Sequence, residues 1–104
     1  MPTYVMFSRV RPEGLATLKN NPGRVREVNQ EVEQLGGRVV QQYALLGGYD
    51  FLTVLEAPDV ETVMRISMEL GSRGTASYES FPAISVDEFI HRLGGHDPSF
   101  RGGS

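Results

Sequence analysis

Gly48-Tyr49-Asp50 places a phenol and a carboxylate side by side immediately after a glycine pair. An aspartate held at the head of a strand can serve as a general base, and a phenol beside it can donate a proton. Adjacent strand residues point to opposite faces, however. If Gly47-Gly48 forms a two-residue turn, Asp50 lies opposite Leu45 and Tyr43 lies opposite Leu52 on that same face. Tyr49 then shares the other face with Ala44, Phe51 and Thr53. Tyr43 and Asp50 are therefore the pair that parity brings together, and Tyr49 joins them only if the turn is bulged. A purely structural alternative stands beside this one. Asp50 can accept backbone N–H bonds at the hairpin while Tyr49 packs its ring at the sheet edge.

Other residues widen the candidate set. Glu79 is a second carboxylate that can act as a base with a tyrosine donor. Arg24 falls in the first turn of a helix, where a cation opposes the helix dipole at a typical cost of about 0.3–1 kcal/mol. Either Glu27, three residues on, offsets that cost, or Arg24 and the free N–H groups of the first turn hold an anion. Glu56 ends a strand on the face of Leu52 and Val54 and can pair with Arg24 or Arg9, while Asp59 reads as a helix N-cap. Tyr4, Tyr43, Tyr49 and Tyr78 lie on or beside four separate strands and can surround a ligand, or simply follow the strand preference of tyrosine. His91 and His96 are the two histidines. They lack the spacing of a metal site, so no metal is expected. The glycine pairs match neither a phosphate loop nor a dinucleotide fingerprint, since Gly47-Gly48 precedes a strand, and no cofactor is expected.

The elements that must position these groups follow from patterning. Thr3 to Val10 is rich in aromatic and β-branched residues and reads as a strand, with Val5 and Phe7 on one face and Tyr4, Met6 and Ser8 on the other. Arg11-Pro12-Glu13-Gly14 breaks it, and Leu15 to Leu18 makes a short helical turn. Asn21-Pro22 opens a helix whose apolar stripe is Val25, Val28, Val32 and Leu35 and whose end is Gly36-Gly37. Arg38 to Leu46 and Asp50 to Glu56 form a hairpin. Pro58-Asp59 opens a second long helix, with Val60, Val63, Met64, Ser67 and Leu70 as its predicted buried stripe. Thr75 to Phe81 is the fourth strand, ended by Pro82. Ser85-Val86-Asp87-Glu88 has capping-box form and starts a short helix to Leu93. Residues 1–93 make one domain, and 94–104, rich in Gly, Ser and Pro, read as a flexible tail.

The order βαββαβ with right-handed crossovers predicts an α+β, ferredoxin-like fold: a four-stranded antiparallel sheet with its helices on one face, plus a short C-terminal helix. The first strand carries apolar residues on both sides, so the helix-free face needs a cover. A second copy is the simplest one. At 104 residues the chain buries a modest share of its surface, which also favours a partner subunit. The net charge of −3, without a basic stripe, argues against nucleic acid. No cysteine occurs, which excludes thiol chemistry and fits a reducing compartment. The N-terminus lacks signal-peptide character and no apolar run spans a bilayer, so a cytoplasmic protein without membrane contact is expected.

Asn21-Pro22-Gly23-Arg24, Gly36-Gly37, Gly48-Tyr49-Asp50, Glu56-Ala57-Pro58-Asp59, Leu70-Gly71 with Gly74, and Glu88-Phe89 occur in that order over Thr3 to Phe89. In this the chain resembles the GYD domain family, which is similar to the dimeric α+β barrel superfamily. The resemblance implies two ferredoxin-like sheets packed face to face around a pocket. That superfamily includes cofactor-free monooxygenases, haem enzymes, isomerases and amino-acid-sensing domains, whereas GYD proteins mostly have no assigned activity. Strand four departs from the family pattern, reading Tyr78-Glu79-Ser80-Phe81-Pro82 where threonines leading to Ala-Phe are usual. Two functions are expected. The first is a homodimeric, or higher homo-oligomeric, module for binding or interaction, with a small organic ligand inside the barrel held by Tyr4, Tyr43, Tyr49, Asp50 and Arg24. The alternative is a cofactor-free oxygenase or isomerase using Asp50 or Glu79 with a tyrosine such as Tyr43.

Overall fold

Strict alternation in the first strand decides which side of the sheet becomes the core. In a computed structural model that describes residues 1–94, β1 (Thr3–Val10) buries Tyr4, Met6 and Ser8 and turns Val5, Phe7 and Arg9 the other way. Pro12 does not merely break this strand. It occupies the first turn of a nine-residue helix, α1 (Pro12–Asn20), where its fixed φ suits the helix and its missing N–H is not needed. Gly14 is buried there because a Cβ would come within 2.6 Å of the Val10 side chain and 2.8 Å of the Thr75 carbonyl oxygen. The short turn predicted at Leu15–Leu18 is thus the middle of a longer helix.

Helix α2 (Arg24–Gln34) begins after a turn in which the Arg24 N–H donates to the Asn21 carbonyl, so Gly23 rather than Asn21 occupies the cap. It ends as predicted. Gly36 sits at φ 102°, and the Gly37 N–H donates to the Val32 carbonyl, the long bond of a Schellman closure. Strands β2 (Arg38–Ala44) and β3 (Phe51–Glu56) pair with a bulge between Val39 and Gln41. The extra residue re-aims the rest of β2, so that Gln42 faces the helices and Tyr43 faces away, opposite Leu52. The hairpin is wider than predicted: the Leu45 N–H bonds to the Asp50 carbonyl, leaving 46–49 as the loop, and Gly47 takes φ 144°.

Helix α3 (Val60–Gly71) starts at Asp59, whose carboxylate accepts from the Thr62 N–H at 2.9 Å and the Thr62 hydroxyl at 2.7 Å. Its buried face is Thr62, Val63, Ile66 and Leu70. Val60 and Met64, predicted as buried, are instead exposed. Because Asp59 satisfies the Thr62 hydroxyl, that residue can be buried at little cost, and the helix docks rotated toward it. Strand β4 (Ala76–Ala83) runs through Pro82, which is tolerated because β4 is an edge strand. A short α4 (Val86–Phe89), capped by Ser85 through the Glu88 N–H, continues as a wider turn over Ile90–Gly94.

The sheet order is β2-β3-β1-β4, and every pairing is antiparallel. This is the predicted ferredoxin-like α+β arrangement. Val32 of α2 and Val63, Ile66 and Leu70 of α3 pack on Tyr4, Met6 and Leu55 to form the core. No described helix is long and apolar enough to cross a membrane. The predicted tail, with His96, lies outside the described residues.

Candidate functional site

The side of the sheet away from the helices carries an aromatic cluster with charged groups around it. Cross-strand pairing lines up Val5 with Val54 and Phe81, and Phe7 with Leu52 and Glu79. Phe81 is 47 % exposed and Tyr43 is 50 % exposed. Phe7 meets Phe81 edge-on at 6.2 Å between ring centres and Tyr49 at 4.9 Å. The Arg9 guanidinium stacks over the Tyr49 ring at 4.9 Å, while its Nε donates to the Gly48 carbonyl at 2.8 Å. The Tyr49 hydroxyl donates to the Glu79 carboxylate at 2.5 Å. That bond, then desolvation and the Glu79 charge, push the phenol above the usual tyrosine range, against a smaller opposing effect of Arg9.

Tyr49 therefore lies on the helix-free face, not with Ala44, Phe51 and Thr53. The wider loop and the anchoring of Asp50 explain the switch, since period-2 alternation holds only inside a ladder. Asp50 is tied to the backbone of β1 and to the other arm of the hairpin. Its carboxylate accepts the Val10 N–H at 2.7 Å, its own N–H donates to the Ser8 carbonyl, and its carbonyl takes the Leu45 N–H. This is a backbone-accepting role like that of the structural alternative, with the N–H coming from β1 rather than from the hairpin. The expected partnership of Tyr43 with Asp50 does not form, because the Tyr43 hydroxyl donates to Gln41 at 2.9 Å. The tyrosine–carboxylate pair that forms is Tyr49 with Glu79.

The remaining candidates divide between the two faces. Tyr4 is 5 % exposed and belongs to the helix-side core, so it cannot line a pocket on the opposite face. Tyr78 also faces the helices, opposite Ser8. Arg24 pairs with Glu27 at 3.1 Å, the offset expected for a cation in a first turn, and reaches Glu31 at 3.7 Å. Glu56 pairs with Arg38 at 3.1 Å rather than with Arg24 or Arg9. His91 lies in the wide C-terminal turn. Among the described residues, no three His, Asp or Glu side chains gather as metal ligands.

Parity missed the Tyr49–Glu79 contact because it assumed a two-residue loop. The signal that could have found it is the β1–β4 register, which sets Glu79 directly across from Phe7 and within reach of the loop. Parity also could not show that an open cavity lies on the helix side of the sheet, between the sheet and the helices α1 and α2.

The GYD domain family model matches residues 4–93. This chain belongs to the GYD domain family. A Thermus thermophilus protein named "Glutamine synthetase and cystathionine beta-lyase binding protein" is 48 % identical over 94 residues, covering 89 % of this chain and 99 % of the relative. Two solved structures share the fold of this GYD protein. TTHA0845, also from Thermus thermophilus, aligns at a TM-score of 0.53 with 21 % identity, over 82 % of this chain and 95 % of its own. FFRP-DM1 aligns at 0.53 with 17 % identity, over 81 % of this chain and the whole of its own.

Proposed function

We propose that this GYD protein is an interaction module. Two copies clasp through their helix-free sheet faces into one barrel, and the dimer binds metabolic enzymes of the kinds named for its Thermus relative, glutamine synthetase and cystathionine beta-lyase. The observation that carries the reading is the helix-free face itself, where Val5, Phe7, Leu52, Val54 and Phe81 lie together without a covering element among the described residues. A contiguous apolar patch rimmed by polar groups marks an association site, and a self-complementary one closes as a two-fold dimer. Arg9, Tyr49 and Glu79 then face the barrel interior, where this reading places a small-molecule pocket. The module is assigned to residues 1–93, with the cytoplasm as its setting.

Sedimentation at micromolar concentration tests the clasp. Wild type is expected as a dimer, and Leu52→Asp as a folded single subunit with unchanged far-UV circular dichroism. A wild type that sediments as one subunit removes the barrel. Interferometry with the two purified enzymes tests the partners, and absence of binding to both at micromolar levels removes that assignment.

The Tyr49–Glu79 bond favours a second reading, a cofactor-free oxygenase or isomerase with Glu79 as base and Tyr49 as proton donor. Its test is native mass spectrometry of the freshly purified protein, followed by incubation of any released molecule with wild type and with Glu79→Gln. A molecule transformed by wild type and left intact by the variant supports the enzyme. An unchanged molecule in both removes it.

A further inference from the structure

The helix-covered side of the sheet is not packed solid. A cavity of about 290 Å³ lies between it and the helices α1 and α2, roughly twice the ~150 Å³ that admits benzene in an apolar core. Met6, Val25, Val28, Phe51 and Ala76 supply much of its wall. Its polar groups are of two kinds. Gln42 is closed on its neighbours: it accepts from Asn29 at 2.8 Å and donates to Asn29 at 3.2 Å and to Thr53 at 2.9 Å. The hydroxyl-bearing side chains of Ser8 and Tyr78, cross-strand partners, also line the cavity.

Two cations complete the lining. Arg24 and Arg73 come from different helix ends and converge on Glu31, which pairs with both. The hydrogen bond and charge of Arg73, then the charge of Arg24, hold the Glu31 carboxyl below the usual glutamate range against some desolvation. This corner is therefore already arranged to hold a carboxylate. Each guanidinium offers five N–H donors in a planar fork. One terminal nitrogen of each, Nη1 of Arg24 and Nη2 of Arg73, serves the glutamates. The other donors remain for a second anion. Tyr78, whose phenol burial pushes above the usual tyrosine range against the opposing charge of Arg73, adds a neutral donor.

We propose that this cavity binds a small amphipathic carboxylic acid, with a short chain or single ring against Val28, Phe51 and Ala76 and its carboxylate held by Arg24, Arg73 and the Tyr78 hydroxyl. The sheet separates this site from the barrel interior, so the inference does not depend on dimerisation or on the enzyme partners.

The test uses the full chain and three acids, 3-phenylpropionate, octanoate and indole-3-acetate, each against its primary alcohol. At millimolar concentration at least one acid raises Tm in a dose-dependent way and shifts the amide resonances of Ser8, Val28, Thr53 and Ala76, and its alcohol does much less. Arg24→Gln and Arg73→Gln each weaken that acid by about tenfold or more. Since Arg73→Gln also strips Glu31 of a partner, Tyr78→Phe and Val28→Phe serve as fold-preserving variants. Tyr78→Phe weakens binding, and Val28→Phe, which fills the cavity, abolishes it. The proposal is overturned if no acid acts, if acid and alcohol act equally, if Val28→Phe binds as wild type does, or if the shifts fall on Val5, Phe7 and Phe81. The last result would place the ligand in the barrel interior instead.

Discussion

Leu52 and Leu55 are the same residue type on one strand, yet they belong to different problems. Leu55 is 0 % exposed beneath the helices, in the cluster that includes Val32 and Ile66. Leu52 stays partly exposed on the other side, between Phe7 and Tyr43. Polar groups differ in the same way. Beneath the helices Gln42, Asn29 and Thr53 tie one another down, and Ser67 meets Ser80. On the helix-free side Arg9, Tyr49 and Glu79 are gathered around an aromatic centre that no described element covers. One face is buried under the chain's own helices, and the other stays partly exposed and is the one proposed for association. The bulge in β2 shifts its alternation by one residue, so that Val39 and Gln42 face inward and Gln41 and Tyr43 outward.

The contrast is broken most directly at the two leucines. Leu55→Ala is expected to cost about 2–5 kcal/mol in urea unfolding, by the same amount at every protein concentration. Leu52→Ala is expected to cost less, with a loss that grows as concentration rises, because the proposed clasp adds to the contacts Leu52 makes with Phe7 and Tyr43 in its own chain. Equal, concentration-independent losses would mean the two faces are energetically alike. Next in size is Gln42→Leu, which strips Asn29 and Thr53 of their partner and should lower stability by about 1 kcal/mol.

A third measurement sharpens the comparison through pH. The Thr62 hydroxyl, then the Thr62 N–H, hold the Asp59 carboxyl below the usual aspartate range. Its folded-state value is depressed, so its contribution is complete at neutral pH and is lost as pH falls through the acid range below the ordinary aspartate value. Asp59→Asn should flatten that acid-side decline in Tm, and an unchanged pH profile would remove Asp59 from the helix start. The smallest effect belongs to the helix-free face. Glu79→Gln should barely move Tm at neutral pH but should lower the pH at which the Tyr49 phenol ionises, followed by ultraviolet absorbance. In wild type the raised phenol value means that the contribution persists below the usual tyrosine range and fades as pH climbs through the raised one. A phenolic titration identical in the two proteins would mean the Tyr49–Glu79 bond does not form.

Much of the fold was legible because its signals are local. Alternation in Thr3–Val10, the Asp59 cap, the Gly36-Gly37 closure and the capping box at Ser85 each act over a few residues, and the structure places each of them where it was expected. The failures share a cause. Val60 and Met64 have the right spacing for a buried stripe, but docking onto the sheet selected Thr62 and Ile66 instead. Pro82 reads as a strand end, but at a sheet edge its missing N–H costs no ladder bond. Tyr43 lies opposite Leu52 and Leu45 opposite Asp50 as expected, but residues 46–49 form an unpaired loop that puts Tyr49 on the helix-free face rather than with Ala44, Phe51 and Thr53. The same limit hid the contacts of Arg73 and Glu31, which are 42 positions apart.

Residue order alone determined the element types, their sequence and the apolar residues on both faces of the first strand, since hydrophobic period, caps and glycine positions act within a turn or a strand. Only the folded arrangement decided that Tyr49 bonds Glu79, that Asp50 closes the hairpin, and that the cavity opens on the helix side with two arginines beside it. Those outcomes depend on register and helix rotation, which are set by how whole elements pack against one another.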